Sequence, residues 1–390
     1  MKRAILVALT PLVLVLGACS LIPRPGVWHP IGAVPGTAGV WALVPLSGGR
    51  VLALGAPGGN AMFDPGRMQW SRVASMPPGL VEASATRLPD GRVFVVGAGE
   101  ASFYLPAQDR WQATTPPPTI RQRQAAALLG DGRVLLVGGV IEGAATATTE
   151  IFDPARASWR RAAPLALPRI APTATPLPDG RVLLTGGYGD ESEIFATQFG
   201  FNQARPYPPE LYDPVRDRWT TVPFAPQVAN PATISLPDGT VMATAGFDGR
   251  IPSHVTQVFD WRTGLWTVKA QNPGGGGPAV ILGDGRIALL GGSNAYDPGQ
   301  DRWEALTPAS IPVDQAIELP AGRALAVASQ PFTGGTAATP SLIFDPAGYP
   351  ALPGSSGPLA SLPLFRTLAA ISVALALLTG ARLFWTRWRS

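Results

Sequence analysis

Seven tryptophans recur along the chain, each followed by a turn glycine 19 to 21 residues later. They are Trp28, Trp70, Trp111, Trp159, Trp219, Trp266 and Trp303, and the glycines are Gly49, Gly91, Gly132, Gly180, Gly239, Gly285 and Gly322. A second landmark keeps the same step: Phe63-Asp64-Pro65, Tyr104-Leu105-Pro106, Phe152-Asp153-Pro154, Tyr212-Asp213-Pro214, Phe259-Asp260-Trp261, Tyr296-Asp297-Pro298 and Phe344-Asp345-Pro346. In the first six, a Trp stands seven residues after the aromatic. A fixed internal period means one small unit repeated, and such a unit buries its apolar side only by packing against its neighbours.

The unit from Ala171 to Val222 reads as four strands. Ala171–Leu177 alternates, and Asp179-Gly180 predicts a type I′ hairpin turn with both central residues at positive φ. Val182–Gly187 is apolar at successive positions, as expected for a strand buried on both faces. Tyr212-Asp213-Pro214 ends a third strand, and Trp219 marks a fourth. Four-stranded units of roughly 40–50 residues predict the blades of a β-propeller. No Trp follows Phe344-Asp345-Pro346, whereas Trp28 has no complete unit before it. Ring closure resolves both facts: the Trp28 strand completes the blade that begins near residue 312, giving seven blades and hiding two sheet edges.

The glycine pairs 138–139, 186–187 and 291–292, the aromatic-Asp-Pro step and the late Trp resemble the kelch-repeat family of β-propellers over about residues 28–350. Gly55-Ala56, Gly97-Ala98 and Ala245-Gly246 keep one glycine of the pair, and Ala328-Ser329 keeps none. The resemblance implies an all-β, seven-bladed kelch-type propeller. It implies no single function, because this scaffold hosts both enzymes and binding proteins. The repeat aromatics are expected to fill the space between blades, and the glycines to permit tight turns and close backbone approach.

The two ends differ from the repeats. Lys2-Arg3, an apolar run from Ala4 to Leu16 and small residues after it read as a secretory signal over residues 1–18. Leu16-Gly17-Ala18-Cys19 resembles a bacterial lipobox, which implies lipid attachment at Cys19, the chain's only cysteine. Residues 19–27 form a linker. At the other end, residues 351–363 read as a linker containing Gly354-Ser-Ser-Gly-Pro358, residues 364–385 as a transmembrane helix, and residues 386–390 as a basic cytoplasmic tail. The expected location is the extracytoplasmic face of a membrane, with lipid and helix as two anchors. Lys2 and Arg3 of the leader and Arg366, Arg382, Arg387 and Arg389 of the tail are six of the 30 basic residues, leaving 24 against 26 acidic residues in the rest of the chain. That balance gives a nucleic-acid partner no electrostatic support.

The chain is poor in catalytic side chains. It has two histidines, His29 and His254. A copper oxidase of the related galactose oxidase type needs a His/Tyr site and a Tyr–Cys cross-link, for which no propeller cysteine exists. His254 lacks a Gly-x-Ser-x-Gly partner motif, and Gly274–Gly277 lacks the Lys-Ser/Thr of a phosphate loop and reads as a tight connection between blades. Asp190, Glu191 and Glu193 are too few oxygens for calcium. No cofactor or metal is expected.

Function is therefore expected in the loops, which in kelch-like blades gather at one mouth of the channel. The longest joins Tyr188 to Glu210 and carries Asp190, Glu191, Glu193, Phe199, Phe201 and Arg205. A second holds Asp248, Arg250 and His254, and a third holds Glu142. The connections into the blades add Glu82, Arg121, Arg123, Arg169, Asn230 and Asp314. This face suits a protein or glycan partner in the cell envelope, so the leading expectation is a non-catalytic binding module. The alternative is a carbohydrate-active enzyme, by resemblance to bacterial kelch-like proteins that isomerise sialic acids; Glu82, Arg123, Arg169 and His254 are its nearest candidates.

Overall fold

The structure, a computed structural model, describes residues 26–37, 39–56, 59–80, 83–190, 207–223, 231–246, 252–328 and 339–346. The leader, Cys19, most of the first linker and the segments from 351 onward lie outside the described residues. Among the described residues no helix is long and apolar enough to cross a membrane.

Seven four-stranded antiparallel sheets form the fold. Blade 1 runs from Gly39 to Arg72, blade 2 from Ser84 to Ala113, blade 3 from Ala125 to Ala162 and blade 4 from Thr173 to Thr221. Blade 5 runs from Ala232 to Val268 and blade 6 from Ala279 to Ala305. Blade 7 takes its three inner strands from Gln315–Leu319, Arg323–Val327 and Thr339–Asp345, and its outer strand from Val27–Val34. The N-terminal strand thus closes the ring, with Trp28 opposite Phe344. The seven innermost strands touch one another in cyclic order, including Gln315–Leu319 against Gly39–Pro45.

Each second strand is buried on both faces because each sheet is sandwiched between two others. In Val134–Val137, Leu135 and Val137 face blade 4 while Val134 and Leu136 face blade 2. The aromatic and Trp of every blade sit directly opposite, from Phe63 and Trp70 to Tyr296 and Trp303. Their ring centroids lie 4.8 to 5.4 Å apart. These are non-hydrogen-bonded pairs, where side chains on adjacent strands come closest.

The first turn of each blade departs from the type I′ expectation. In Leu177-Pro178-Asp179-Gly180-Arg181 only Gly180 has positive φ, at 85°. The Gly180 N–H donates to the Leu177 carbonyl at 3.0 Å, and the Leu177 N–H to the Arg181 carbonyl at 2.8 Å. This is a type I turn followed by a left-handed glycine, the three-residue bulged hairpin. Pro178 presets the φ of the first turn position. The Asp179 carboxylate then accepts from the Arg181 backbone N–H at 3.1 Å and from its Nε at 2.6 Å. Blades 2, 3, 5 and 6 use the same turn, with Gly91, Gly132, Gly239 and Gly285 left-handed. Blades 1 and 7 lack the Asp, and there Gly48 and Ala321 are left-handed as well.

A second device alternates around the ring. In blades 2, 4 and 6 the aromatic is Tyr, and an Asp follows five residues later. Tyr104, Tyr212 and Tyr296 donate to Asp109 at 2.8 Å, Asp217 at 2.5 Å and Asp301 at 2.6 Å. The same carboxylate oxygens accept the N–H of Ala74, Ala163 and Ala270, the residues leaving the preceding blades. The carbonyls of those three alanines accept the indole N–H of Trp111, Trp219 and Trp303. One residue leaving each of blades 1, 3 and 5 is therefore gripped at both N–H and C=O by the even blade that follows. The Phe-bearing blades 1, 3 and 5 put Met68, Ala157 and Gly264 at the Asp position, none of which can accept these hydrogen bonds through a carboxylate. Burial pushes the three phenols up, and the adjacent carboxylates add to the shift.

Candidate functional site

One mouth of the channel gathers the connections between blades and the loops after the second strands. A cavity of about 780 Å³ opens there across blades 4 to 7. Thr173, Thr233, Ser253, Gln315, Asp314 and the backbone of Gly275–Gly277 line it. Apart from the Asp314 carboxylate, the described lining is uncharged. Each innermost strand has one sheet partner, so its other edge faces the channel. The described lining of the mouth thus carries hydroxyls, one amide, one carboxylate and glycine backbone.

The glycine loop is held rigidly. The buried Asn272 accepts the Gly274 N–H at 2.9 Å and donates to the Gly275 carbonyl at 3.0 Å. Asn294 donates to the carbonyls of Gly274 at 2.7 Å and Gly292 at 2.8 Å. A Cβ on Gly275 would lie 2.5 Å from the Gly292 Cα, and one on Gly277 2.8 Å from the Gly291 Cα. Two backbones cross here in contact, which only glycine allows. His254 stands exposed beside this loop, with Nδ1 2.6 Å from the Asn272 carbonyl. A carbonyl only accepts, so Nδ1 carries the proton and Nε2 is the acceptor of the neutral ring.

Two ion pairs lock the neighbouring sector. Arg169 is fully buried and its Nη2 lies 2.8 Å from Glu210 Oε1. Arg169 also donates to the carbonyls of Gly186 at 3.1 Å and Pro208 at 2.5 Å. Glu210 Oε2 accepts the Ala166 N–H at 2.8 Å. Blade 3 repeats the arrangement: Arg121 pairs with Glu150 at 2.9 Å and donates to Gly138 and Thr148 carbonyls at 3.2 and 3.0 Å. Burial pushes both guanidinium groups down from their ordinary value, opposed by the facing carboxylates. Each pair ties the chain entering a blade to its second-strand glycines and its third strand.

The expected contact residues are placed unevenly. Arg169 is a correction: it is no rim contact, because its hydrogen-bonding groups are turned inward onto Glu210 and backbone carbonyls. Arg121 is corrected on the same ground. Arg123 is half-buried at the channel-side start of blade 3, with φ +54°, and its carbonyl accepts the Ala171 N–H at 2.8 Å. Asp190 is exposed just beyond the bridge between Ile170 and Tyr188. Glu142 lies at the left-handed tip of a small hairpin, Val140–Ile141 with Ala144–Ala145. Glu82, Glu191, Glu193, Phe199, Phe201, Arg205, Asn230, Asp248 and Arg250 lie outside the described residues. Sequence reasoning missed Glu150, Glu210, Asn272 and Asn294. A signal existed for the first two: both stand two residues before the repeat aromatic.

Among the described residues no group of three or more His, Cys, Asp or Glu is placed to hold a metal ion. His29 is on the outer strand of blade 7, opposite Ile343, whereas His254 is beside the channel mouth.

Comparison with known proteins agrees on architecture and little else. The Kelch motif is matched over residues 123–166, which covers all of blade 3 with both of its glycine landmarks. No curated protein matches the chain. Among solved structures, a fungal alcohol oxidase of the AA5 family in complex with copper superimposes with a TM-score of 0.65 at 17% identity. The match covers 83% of this chain and 76% of that one. Since 1208 chains of solved structures match, likeness of shape selects no chemistry.

Proposed function

The chain is a kelch-repeat β-propeller, and we propose that it is a binding module whose recognition surface is the loop-bearing channel mouth. The supporting observation is the cavity of about 780 Å³, wide enough for a small polar ligand or a partner's loop. Its described lining carries hydroxyls, an amide and glycine backbone around one carboxylate, which suits hydrogen bonding to a hydroxyl-rich or peptidic ligand. The rigid glycine loop presents these groups without an ordering cost on binding. We further propose that a lipid on Cys19 and a helix over 364–385 hold the propeller on the extracytoplasmic face of a membrane.

The test is a melting-temperature series on the purified full-length chain with neutral sugars, acidic sugars, peptides and divalent ions. A ligand that binds only the folded state at about 100 times its Kd adds about 2.7 kcal/mol. Gly276→Arg is the matched control, because the nearest atom to a Cβ there is Ala245 Cβ at 3.6 Å. A ligand that stabilises the parent and not Gly276→Arg supports the mouth. Equal stabilisation of both rejects it.

One observation favours a catalytic reading: the exposed Nε2 of His254 is a proton acceptor at the edge of the mouth. Anomer interconversion of acidic sugars, followed by NMR with the parent and His254→Gln, decides it. No acceleration by the parent removes the enzyme reading.

A further inference from the structure

The mouth occupies one face of the ring, and the opposite face is made of turns. Blades 1 to 6 each put two turns there, one between the first and second strands and one between the third and fourth. Turns of both kinds line a single groove between blades 2 and 3, which fixes them on one face. Blade 7 completes this face differently. There the described chain enters at Gly26 and leaves at Pro346, because Val27 stands opposite Asp345. Both proposed anchors therefore connect to this face. Cys19 lies seven residues before Gly26, a span of at most about 25 Å when fully extended.

The turns between third and fourth strands are edged with arginine. Arg67 in blade 1, Arg156 in blade 3 and Arg216 in blade 4 each pair with the Asp three residues back. The arginine is the outer partner each time, its side chain 78 to 80% exposed against 18 to 35% for the carboxylate. Each pair uses only Nη1, so Nε and Nη2 have no hydrogen bond among the described residues. In blade 5, Arg262 is again more exposed than its partner Asp260 and lies over the half-buried Trp261 ring at 4.6 Å. Val215, beside Arg216, is 90% exposed. Blades 2 and 6 carry Gln108 and Gln300 at the place of Arg67, so no carboxylate stands there. The Asp that follows in the even blades is held by the Tyr clamp. The other acidic groups of this face, such as Asp90 and Asp131, sit in the first turns, nearer the channel, and are paired with Arg92 and Arg133.

We propose that this face rests on an anionic lipid surface, with the mouth turned away from the membrane. The proposal rests on the membrane anchoring proposed above. Arginine tips in blades 1, 3, 4 and 5, with the anchors at blade 7, spread the contacts around the ring, so the face lies flat. The free edge of a guanidinium presents paired N–H groups that match two phosphate oxygens. Trp261 beside Arg262 suits the headgroup layer, where indole rings settle. Each arginine near an anionic surface strengthens the contact about fivefold.

The test uses the full-length chain in vesicles, with one thiol to carry a fluorophore. In a Cys19→Ser background anchored by the helix, Val215→Cys marks the turn face and Ala144→Cys the exposed hairpin at the mouth. A quencher on the lipid headgroups reads contact. In vesicles of equal parts phosphatidylglycerol and phosphatidylcholine, the label at Val215 should be quenched and that at Ala144 should not. Quenching should fall in phosphatidylcholine alone, and in high salt, which screens the attraction. Arg216→Gln with Arg262→Gln changes exposed side chains and should keep the melting temperature. It should lower the ratio of docked to free propeller about twenty-five-fold. Flotation of the parent and Cys19→Ser chains with phosphatidylcholine vesicles in high salt reads the anchors separately. A chain that does not float refutes the anchoring and the orientation with it. A floating chain whose Val215 label stays bright in anionic vesicles, or whose Ala144 label is quenched equally, overturns the orientation alone. Quenching at Val215 that ignores both lipid charge and the arginine changes overturns the anionic surface.

Discussion

Replacing Glu210 by Gln separates the structural role of the Arg169 sector from a ligand-binding one. The Glu210 carboxylate receives Arg169 Nη2 on one oxygen and the Ala166 N–H on the other, each at 2.8 Å. A carboxamide has one acceptor oxygen, so one of the two donors meets an NH2 group instead. Arg169, with a side chain 0% exposed, then keeps its charge without a counter-charge. Breaking one side of a buried pair costs about 3–5 kcal/mol. That is a large share of the roughly 5–15 kcal/mol of a typical domain. The comparison variant is Arg216→Ala: its partner Asp213 lies at 2.6 Å, but Arg216 is 78% exposed. Solvent screening limits that pair to about 0–1 kcal/mol. Urea unfolding of both variants, with the double change Arg169→Met and Glu210→Leu, gives the three differences required. The expected order is a large loss for Glu210→Gln, a small one for Arg216→Ala, and recovery of much of the loss in the double variant. If Glu210→Gln costs no more than Arg216→Ala, the ion pair does not hold the blade, and Arg169 returns as a candidate contact.

Gly275→Ala should destabilise by about 1–3 kcal/mol, since φ is +79° and the new Cβ meets the Gly292 backbone; an unchanged urea midpoint would show that the two backbones do not touch. Acid should loosen the even-blade clamps. Burial raises Asp217, but the Tyr212 hydroxyl, the Ala163 N–H and Arg160 together hold it below the usual carboxylate range. The Ala270 N–H and the Tyr296 hydroxyl depress Asp301. A depressed folded pKa stabilises above the unfolded value of about 3.9 and stops doing so as pH falls through the folded one. Asp217→Asn should therefore flatten the acid limb of the stability curve; an identical limb refutes the clamp. At high pH the sign reverses. Tyr104, Tyr212 and Tyr296 are raised, so their contribution is full below about pH 10 and is lost as pH climbs toward the folded values. Changing all three to Phe should remove that alkaline loss, with tyrosinate absorbance reporting titration of the parent phenols only on unfolding.

Much of the architecture was legible because the period is written in large and conformationally special residues. Trp and the paired aromatic mark two facing strands, the glycines mark turns, and the displaced Trp28 strand announces closure. The turn type was misread because Asp-Gly alone does not specify it: Pro178 before it and Arg181 after it select a type I turn with a bulge. The site was less legible for a different reason. In the sequence, Arg121, Arg123 and Arg169 are alike, three arginines in connections between blades. Only packing separates them, by folding Glu150 and Glu210 from distant strands beneath two of the three. Local pattern determined the repeat, the strand order and the number of blades, because backbone geometry and apolar periodicity act over a few residues. Tertiary structure decided which charges are spent inside and which faces remain open, because burial and pairing depend on residues brought together from far apart in the chain.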